Sequence, residues 1–164
     1  MYANVIDHLF QTLPVSDVAV LRFNFRGVSG SDGRHDYGNR EQFDVLAAVD
    51  EAVDRHPAMP VMLTGWSFGA DVALSNPHPA IGSWCAIAPP LRLSAPDAMA
   101  AASDARPKVV VVPANDQFSS PEQTLKATAH WVNTTVSVID DADHFLSHGL
   151  DEVLDLTLKS LPTD

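Results

Sequence analysis

The chain has 164 residues, a hydrophobic content of 46% and a formal net charge of −11, with 21 acidic residues against 10 lysines and arginines. A chain of this length builds one sizeable core and is too short for two separate ones, so we predict a single domain over residues 1–164. The acidic balance disfavours nucleic acid or an anionic membrane as a partner, because phosphate groups bind clustered cations. The expected partner is a small-molecule substrate, and the acidity itself mainly favours solubility.

Cysteine usage and the start of the chain bear on the compartment. The only cysteine, Cys85, lies in an apolar run, so no internal disulfide is possible. The first residues lack the positive charge and apolar stretch of a signal peptide, and no uncharged segment is long enough to cross a bilayer. We therefore expect a soluble, cytoplasmic protein.

Apolar strand patterns alternate with helical patterns along the chain. In chain order they are a helix over 5–13, a strand over 18–25, a helix over 43–53, strands over 61–64, 84–88 and 109–113, a helix from Pro121 to Val132, a strand over 135–139 and a helix over 153–161. Most of the strands are apolar nearly throughout, as in a sheet covered on both faces. This α/β pattern predicts a mostly parallel sheet of about five strands flanked by helices. The proline-rich connection over 89–107 is too short for a cap or lid domain.

Residues 65–69 read Gly-Trp-Ser-Phe-Gly and lie between a strand and a helix-compatible segment over 70–74. A serine in such a sharp turn is exposed as a nucleophile, and glycines on either side avoid collisions with the adjoining helix and strand. The same turn places the backbone N–H of Phe68 at a helix start, where it can stabilise an oxyanion. The pentapeptide alone is also compatible with an ordinary turn, but its context predicts that Ser67 is a catalytic nucleophile.

A serine nucleophile needs a base, and the base needs a carboxylate that orients it. After elbows of this kind the acid and then the base follow in the chain, each in a loop beyond a later strand. Asp116 follows the strand over 109–113 and is the predicted acid. Its alternative role is an Asx-turn that only closes the loop.

The predicted base is His144, in the loop beyond the strand over 135–139. His148 is its competitor, and Asp143 competes with Asp116 as the acid, although its adjacency to His144 makes contact with the same ring rare. The other histidines are interpreted as surface or structural residues: His8, His35, His56, His78 and His130. None of these five lies with an acidic or cysteine partner at a convincing metal-ligand spacing, so we predict no metal site. The aromatic residues that flank the proposed catalytic residues, Trp66, Phe118 and Phe145 together with Phe68, are candidates for an apolar acyl pocket, although each is also compatible with a core position.

Several segments together resemble a known family. They are Leu-Arg-Phe-Asn-Phe-Arg-Gly-Val-Ser-Gly-Ser over 21–31, the elbow over 65–69, Ala-Pro-Pro over 88–90, Asn-Asp over 115–116 and Asp-Ala-Asp-His-Phe over 141–145. In these segments the chain resembles small, lidless bacterial α/β-hydrolases related to dienelactone hydrolases. The resemblance covers nearly the whole chain and implies a Ser67, Asp116 and His144 triad, hydrolysis of acyl esters and no cofactor. The chain differs from the relatives that use a cysteine nucleophile.

The resemblance also implies an N-terminally shortened fold. In the family, a strand and a glycine-ending loop that supplies the second oxyanion N–H precede the helix that here begins near Met1. That strand normally lies between the strands that correspond to 18–25 and 61–64. Three replacements are compatible with the sequence: closure of the 18–25 strand onto the 61–64 strand, with the loop over 27–33 or the N-terminus as donor; a partner chain, such as a homodimer; or residues upstream of Met1.

The sequence thus favours a serine hydrolase of small acyl esters. A catalytically weak or inactive relative that acts as a binding protein is the alternative, because half of the oxyanion hole is unaccounted for. A third possibility keeps the elbow but moves the reaction to a peptide, thioester or carbon–carbon bond.

Overall fold

A parallel sheet of four strands forms the centre of the structure, a computed structural model that describes residues 4–162. The strands are β1 (Val61–Trp66), β2 (Ile81–Ile87), β3 (Lys108–Asn115) and β4 (Thr134–Asp143), and they lie side by side in chain order. The helices are α1 (Asn4–Thr12), α2 (Glu41–Arg55), α3 (Phe68–Leu74), α4 (Pro121–Ala127) and α5 (Leu150–Lys159). Because all strands run in the same direction, the loops that follow them meet at one edge of the sheet.

Alternate residues of β2 enter two different cores. Cys85 and Ile87 pack in a cluster that includes Val5 of α1 and Val153 of α5, whereas Trp84 and Ala86 pack in a cluster that includes residues of α3. The period of two in a strand places these sets on opposite faces. The sheet is therefore covered by helices on both faces, as the apolar strands predict. The connection between β2 and β3 contains one short 3₁₀ turn, Pro96–Ala98, and no lid domain, as predicted.

The predicted strand over 18–25 is wrong. The segment is extended, but it pairs with no strand, and the backbone N–H and C=O groups of residues 18–23 form no hydrogen bond within the described part of the chain. Leu21 and Phe23 each remain 42% exposed. The sheet consequently has four strands, and the hypothesis that this segment closes onto β1 is also wrong. Apolar residues favour an extended backbone, but a ladder forms only where a second strand lies alongside.

No helix within residues 4–162 combines the length and the apolar character needed to span a membrane.

Candidate active site

Ser67 lies at the sharp turn between β1 and α3. Its backbone has φ 53° and ψ −125°, a conformation that side-chain-bearing residues rarely adopt. The turn is held from both sides: the Ser67 N–H donates to the Ile87 carbonyl at 2.9 Å, and the Ser67 carbonyl accepts from the Ala70 N–H at 2.9 Å. One hydrogen bond to the neighbouring strand β2 and one within the turn therefore stabilise the strained backbone that presents the hydroxyl.

The two glycines of the elbow differ in their steric role. A Cβ on Gly65 would lie 2.3 Å from the carbonyl oxygen of Gly69 and 2.6 Å from the nitrogen of Ala70, which are backbone atoms that cannot move aside. A Cβ on Gly69 would meet only the Phe25 ring, at 3.9 Å. The prediction of a required glycine is thus confirmed for Gly65 and is wrong for Gly69.

Asp116 directly follows β3 and uses both of its carboxylate oxygens. Oδ1 accepts the backbone N–H groups of Phe118 at 2.7 Å and Ser119 at 3.2 Å, which is the Asx-turn considered as its alternative role. Oδ2 lies 2.8 Å from Nδ1 of His144. The turn therefore orients the carboxylate toward the imidazole. Asp116 closes the Asx-turn and contacts His144 at the same time.

His144 follows the end of β4 and bridges the acid and the elbow. Its Nε2 lies 2.8 Å from Ser67 Oγ while its Nδ1 contacts Asp116, so the three predicted residues form one continuous hydrogen-bonded chain. The side chains of His144 and Asp116 are only 4% and 1% exposed. An aspartate on Nδ1 favours the tautomer whose Nε2 accepts a proton from the serine.

The competing acid and base lie elsewhere. His148 is exposed and forms no hydrogen bond with the described residues. The Asp143 carboxylate instead accepts the backbone N–H of Ser147 at 3.1 Å and its hydroxyl at 3.2 Å, and this backbone hydrogen bond lowers the pKa of Asp143. Asp143 therefore closes the turn that carries His144.

A cavity of about 500 Å³ opens over Ser67 and His144. All of the aromatic residues predicted for the acyl pocket line it: Trp66, Phe68, Phe118 and Phe145. The Phe118 ring meets the His144 ring edge-on at 4.5 Å. Sequence reasoning missed the remaining polar and loop residues of the wall, which are His35, Tyr37, Asp71, Pro90, Arg92 and Leu93. Only Asp71 carried a local signal, as an acidic residue among the apolar residues that open α3.

Asp71 holds the loop after β2 against the elbow helix. Its buried carboxylate accepts the backbone N–H groups of Leu91, Arg92 and Leu93 at 2.9, 2.8 and 3.1 Å. Burial raises the pKa of Asp71, and the three N–H groups and the charge of Arg92 only partly oppose this effect. The carboxylate thus fixes one wall of the cavity.

His35 also lines the cavity, with its ring 5.2 Å from the ring of Phe68. Its Nδ1 lies 2.9 Å from Oε1 of Glu41, a carboxylate with no exposure. Glu41 also accepts the backbone N–H groups of Asp36 at 2.7 Å and Gly38 at 2.8 Å. Burial opposes ionisation, but these N–H groups and His35 outweigh it and lower the pKa of Glu41.

The oxyanion side of the site has one candidate donor at the elbow. The backbone N–H of Phe68 makes no hydrogen bond to any residue of 4–162 and is free to bind a substrate oxygen. The loop over 27–33, considered as a second donor, does not line this cavity; its Ser31, Asp32 and Gly33 line a separate cavity of about 570 Å³. It is therefore not the substitute donor. The other suggested donor, the N-terminus, lies at Met1–Ala3, outside the described residues.

The described residues contain no group of three or more His, Cys, Asp or Glu side chains placed to hold a metal ion.

Similar sequences and solved structures identify the family of this chain, although no protein-family model matches it. The chain is 30% identical over 162 residues to the uncharacterized protein RP471 of Rickettsia prowazekii. This match covers 93% of this chain and 68% of that protein. Among solved structures, an α/β serine hydrolase homologue from Coxiella burnetii superposes with a TM-score of 0.85 at 26% identity, over 97% of this chain and 76% of the other.

A second solved structure concerns the lid. XC6422 from Xanthomonas campestris, an α/β serine hydrolase without a lid, has a TM-score of 0.78 and 26% identity, over 100% of this chain and 77% of the other. None of the proteins named here is described as a dienelactone hydrolase, so that relationship stays a prediction. With its parallel sheet, its helices on both faces and its short connection after β2, the chain belongs to the α/β-hydrolase superfamily as a lidless member.

Proposed function

We propose that the protein is a serine hydrolase that cleaves small acyl esters through an acyl-enzyme intermediate. The observation that carries this proposal is the hydrogen-bonded chain from Ser67 Oγ to His144 Nε2 and from His144 Nδ1 to Asp116 Oδ2, with both distances 2.8 Å. Such a chain supplies a nucleophile, a base and an orienting carboxylate without a cofactor.

In the proposed reaction, Ser67 Oγ attacks the ester carbonyl carbon while His144 Nε2 takes the hydroxyl proton. Asp116 holds the Nδ1 proton and stabilises the imidazolium that forms. The developing oxyanion accepts the N–H of Phe68. When the tetrahedral intermediate collapses, the leaving alcohol takes the proton from Nε2. Water then attacks the acyl carbonyl while His144 takes its proton, and collapse of the second intermediate breaks the bond to Ser67 Oγ, returns that proton to it and releases the carboxylic acid.

Two features support esters as the substrates. An alkoxide or phenoxide leaves more readily than an amide nitrogen, so an ester makes smaller demands on a site with one identified oxyanion donor. The cavity wall is largely aromatic, and Trp66, Phe118 and Phe145 are suited to an apolar acyl chain. A peptide or thioester substrate would use the same three residues.

A serine-directed fluorophosphonate probe and a series of p-nitrophenyl esters with increasing acyl length test the proposal. We expect the wild type to be labelled and to turn over esters, with both activities lost in Ser67→Ala. We expect His144→Ala to lose turnover and the matched control His148→Ala to retain it. If His148→Ala lost ester turnover and His144→Ala retained it, the assignment of His144 as the base would be overturned.

The second candidate is a non-catalytic relative that binds a ligand in the same cavity. The observation in its favour is that Phe68 supplies the one oxyanion donor identified in the site. Loss of a single donor typically lowers turnover about 10²- to 10³-fold, so a site with one donor is expected to be weak. A folded wild type that neither reacts with the probe nor hydrolyses any ester of the series would favour this binding protein.

A further inference from the structure

A groove lies between α2 and the extended segment that precedes it. It is the cavity of about 570 Å³ that is separate from the cavity over Ser67, and its described lining contains no residue of β1. Leu21 and Phe23 form one side of it and share a face of the extended segment, since they are two residues apart. Ala47 and Ala48 form the other side, on α2. The wall of this α2 groove is therefore apolar at its centre, and its two larger side chains stay 42% exposed.

Polar contacts fix one end of the groove. The Arg26 guanidinium contacts the Asp44 carboxylate twice, with Nη2 2.6 Å from Oδ1 and Nε 3.0 Å from Oδ2. The backbone N–H of Arg26 donates to the same carboxylate at 3.0 Å. The Ser31 hydroxyl donates to the Asn24 carbonyl at 2.9 Å, which places the loop over 27–33 beside the groove. The segment is thus held to α2 without a ligand, and the groove is preformed.

The backbone beside the groove is open to pairing with another strand. The N–H and C=O groups of residues 18–23 form no hydrogen bond within the described part of the chain. An extended segment with unpaired backbone groups is a template for strand addition. A peptide that adds as a strand forms main-chain hydrogen bonds, and its alternate side chains point to the same face. On the face that carries Leu21 and Phe23, those side chains enter the α2 groove.

The charge of the groove favours a basic ligand. Three carboxylates line it, those of Asp32, Asp44 and Glu51, against the single guanidinium of Arg26. Arg26 balances Asp44, and Arg55 contacts Glu51 at 2.6 Å from outside the lining. Asp32 is exposed and lies within 4.0 Å of no cationic side chain of the described chain. A second copy is a poor ligand, because it carries the same net charge of −11.

We propose that the α2 groove binds an extended basic segment of another protein, which adds as a strand to residues 18–23. An apolar side chain of the ligand packs against Leu21 and Phe23, and a lysine or arginine of the ligand pairs with Asp32. The groove shares no lining residue with the cavity over Ser67. The proposal therefore stands or fails independently of the proposed hydrolase function.

Fluorescence anisotropy with a labelled heptapeptide, Lys-Thr-Val-Thr-Val-Thr-Lys, tests the proposal. In an extended conformation this peptide presents its valines and lysines on one face, and its pattern is the same in both directions. We expect saturable binding that added salt weakens. A peptide with glutamate in place of both lysines should bind about tenfold more weakly. A peptide N-methylated at every residue between the lysines should not bind, because it has lost the donors of the ladder.

Substitutions in the groove locate the binding site. Leu21→Ala removes apolar contact area, and we expect it to raise the Kd of the lysine peptide about tenfold. Leu125→Ala is the matched control, because Leu125 is an exposed leucine of α4 outside the groove, and it should leave the Kd unchanged. Asp32→Asn should weaken the lysine peptide and narrow its difference from the glutamate peptide. Leu21 and Asp32 are both exposed, so neither substitution removes a core side chain.

Hydrogen exchange reports the pairing itself. Saturation with the lysine peptide should slow the exchange of the amides over 18–23 and leave that of residues 84–87, inside the sheet, unchanged. No binding of the lysine peptide, equal binding of the N-methylated peptide, or binding without protection of 18–23 overturns the proposal. A free protein that sediments as a dimer with 18–23 already protected also overturns it, because a second copy then occupies the groove.

Discussion

The indole Nε1–H of Trp66 donates to the backbone carbonyl of His144 at 2.9 Å. The residue before the nucleophile therefore ties the loop of the proposed base to the elbow, although 78 positions separate the two residues in the chain. The two rings also lie 5.4 Å apart. The position of His144 relative to Ser67 thus depends on Trp66 as well as on Asp116.

Replacing Trp66 with Phe removes this hydrogen bond and keeps an aromatic ring. We expect a loss of about 1 kcal/mol in the free energy of unfolding, and a kcat for ester hydrolysis that falls more than that of Phe145→Leu, because the loop of the base is released. Urea unfolding and steady-state kinetics measure the two effects. A Trp66→Phe variant with wild-type kcat would show that the loop is positioned without the indole.

Asp116→Asn separates the Asx-turn from the orientation of His144. The asparagine side-chain oxygen can still accept the N–H groups of Phe118 and Ser119, so we expect little change in stability. Its NH₂ group favours the wrong imidazole tautomer, and kcat should fall about 10³- to 10⁴-fold. The control is Asp143→Asn, whose carboxylate binds Ser147. Comparable losses of kcat in the two variants would contradict the assignment of the acid.

The two elbow glycines provide a matched pair of substitutions. Gly65→Ala forces a Cβ to within 2.3 Å of the Gly69 carbonyl oxygen, and we expect it to destabilise the protein by about 1–3 kcal/mol or more. Gly69→Ala has space and lies in a helix, where alanine is favoured over glycine. Thermal unfolding compares the stabilities of the two variants. An equal fall in Tm would show that the elbow is packed differently.

The extended segment over 18–23 should exchange its amide hydrogens rapidly. Its N–H groups have no partner within the described chain, whereas those of β2 and β3 lie inside the sheet. Hydrogen exchange followed by mass spectrometry should show early deuteration of this segment and protection of residues 84–87. Strong protection of 18–23 would reveal a strand paired there that the described residues do not supply.

Cys85 should be chemically inert in the folded protein. It has no exposure, and burial raises the pKa of its thiol to about 11. Because the thiolate is the reactive form, we expect no reaction with a disulfide reagent at pH 8 until urea unfolds the chain. Stoichiometric labelling within minutes under native conditions would contradict the packing of β2.

Features that depend on neighbours in the chain were predictable from the amino-acid sequence. The elbow around Ser67 needs only a strand, a tight turn and a helix in succession, and β1 to β4 appear as apolar runs. The positions of Asp116 and His144 followed because parallel strands direct their following loops to one edge of the sheet. Chain order and local pattern thus determined the fold class and the three candidate catalytic residues.

Tertiary structure alone decided which segments meet. The apolar run over 18–25 looked like a strand, but pairing requires a second strand, and none of the described residues provides one. Arg92 had no distinguishing pattern in the chain; its place in the wall of the cavity depends on Asp71, which accepts its backbone N–H, and on the Phe118 carbonyl, which accepts its Nη2. Hydrogen bonding and ion pairing between distant segments depend on three-dimensional proximity, which local sequence patterns do not encode.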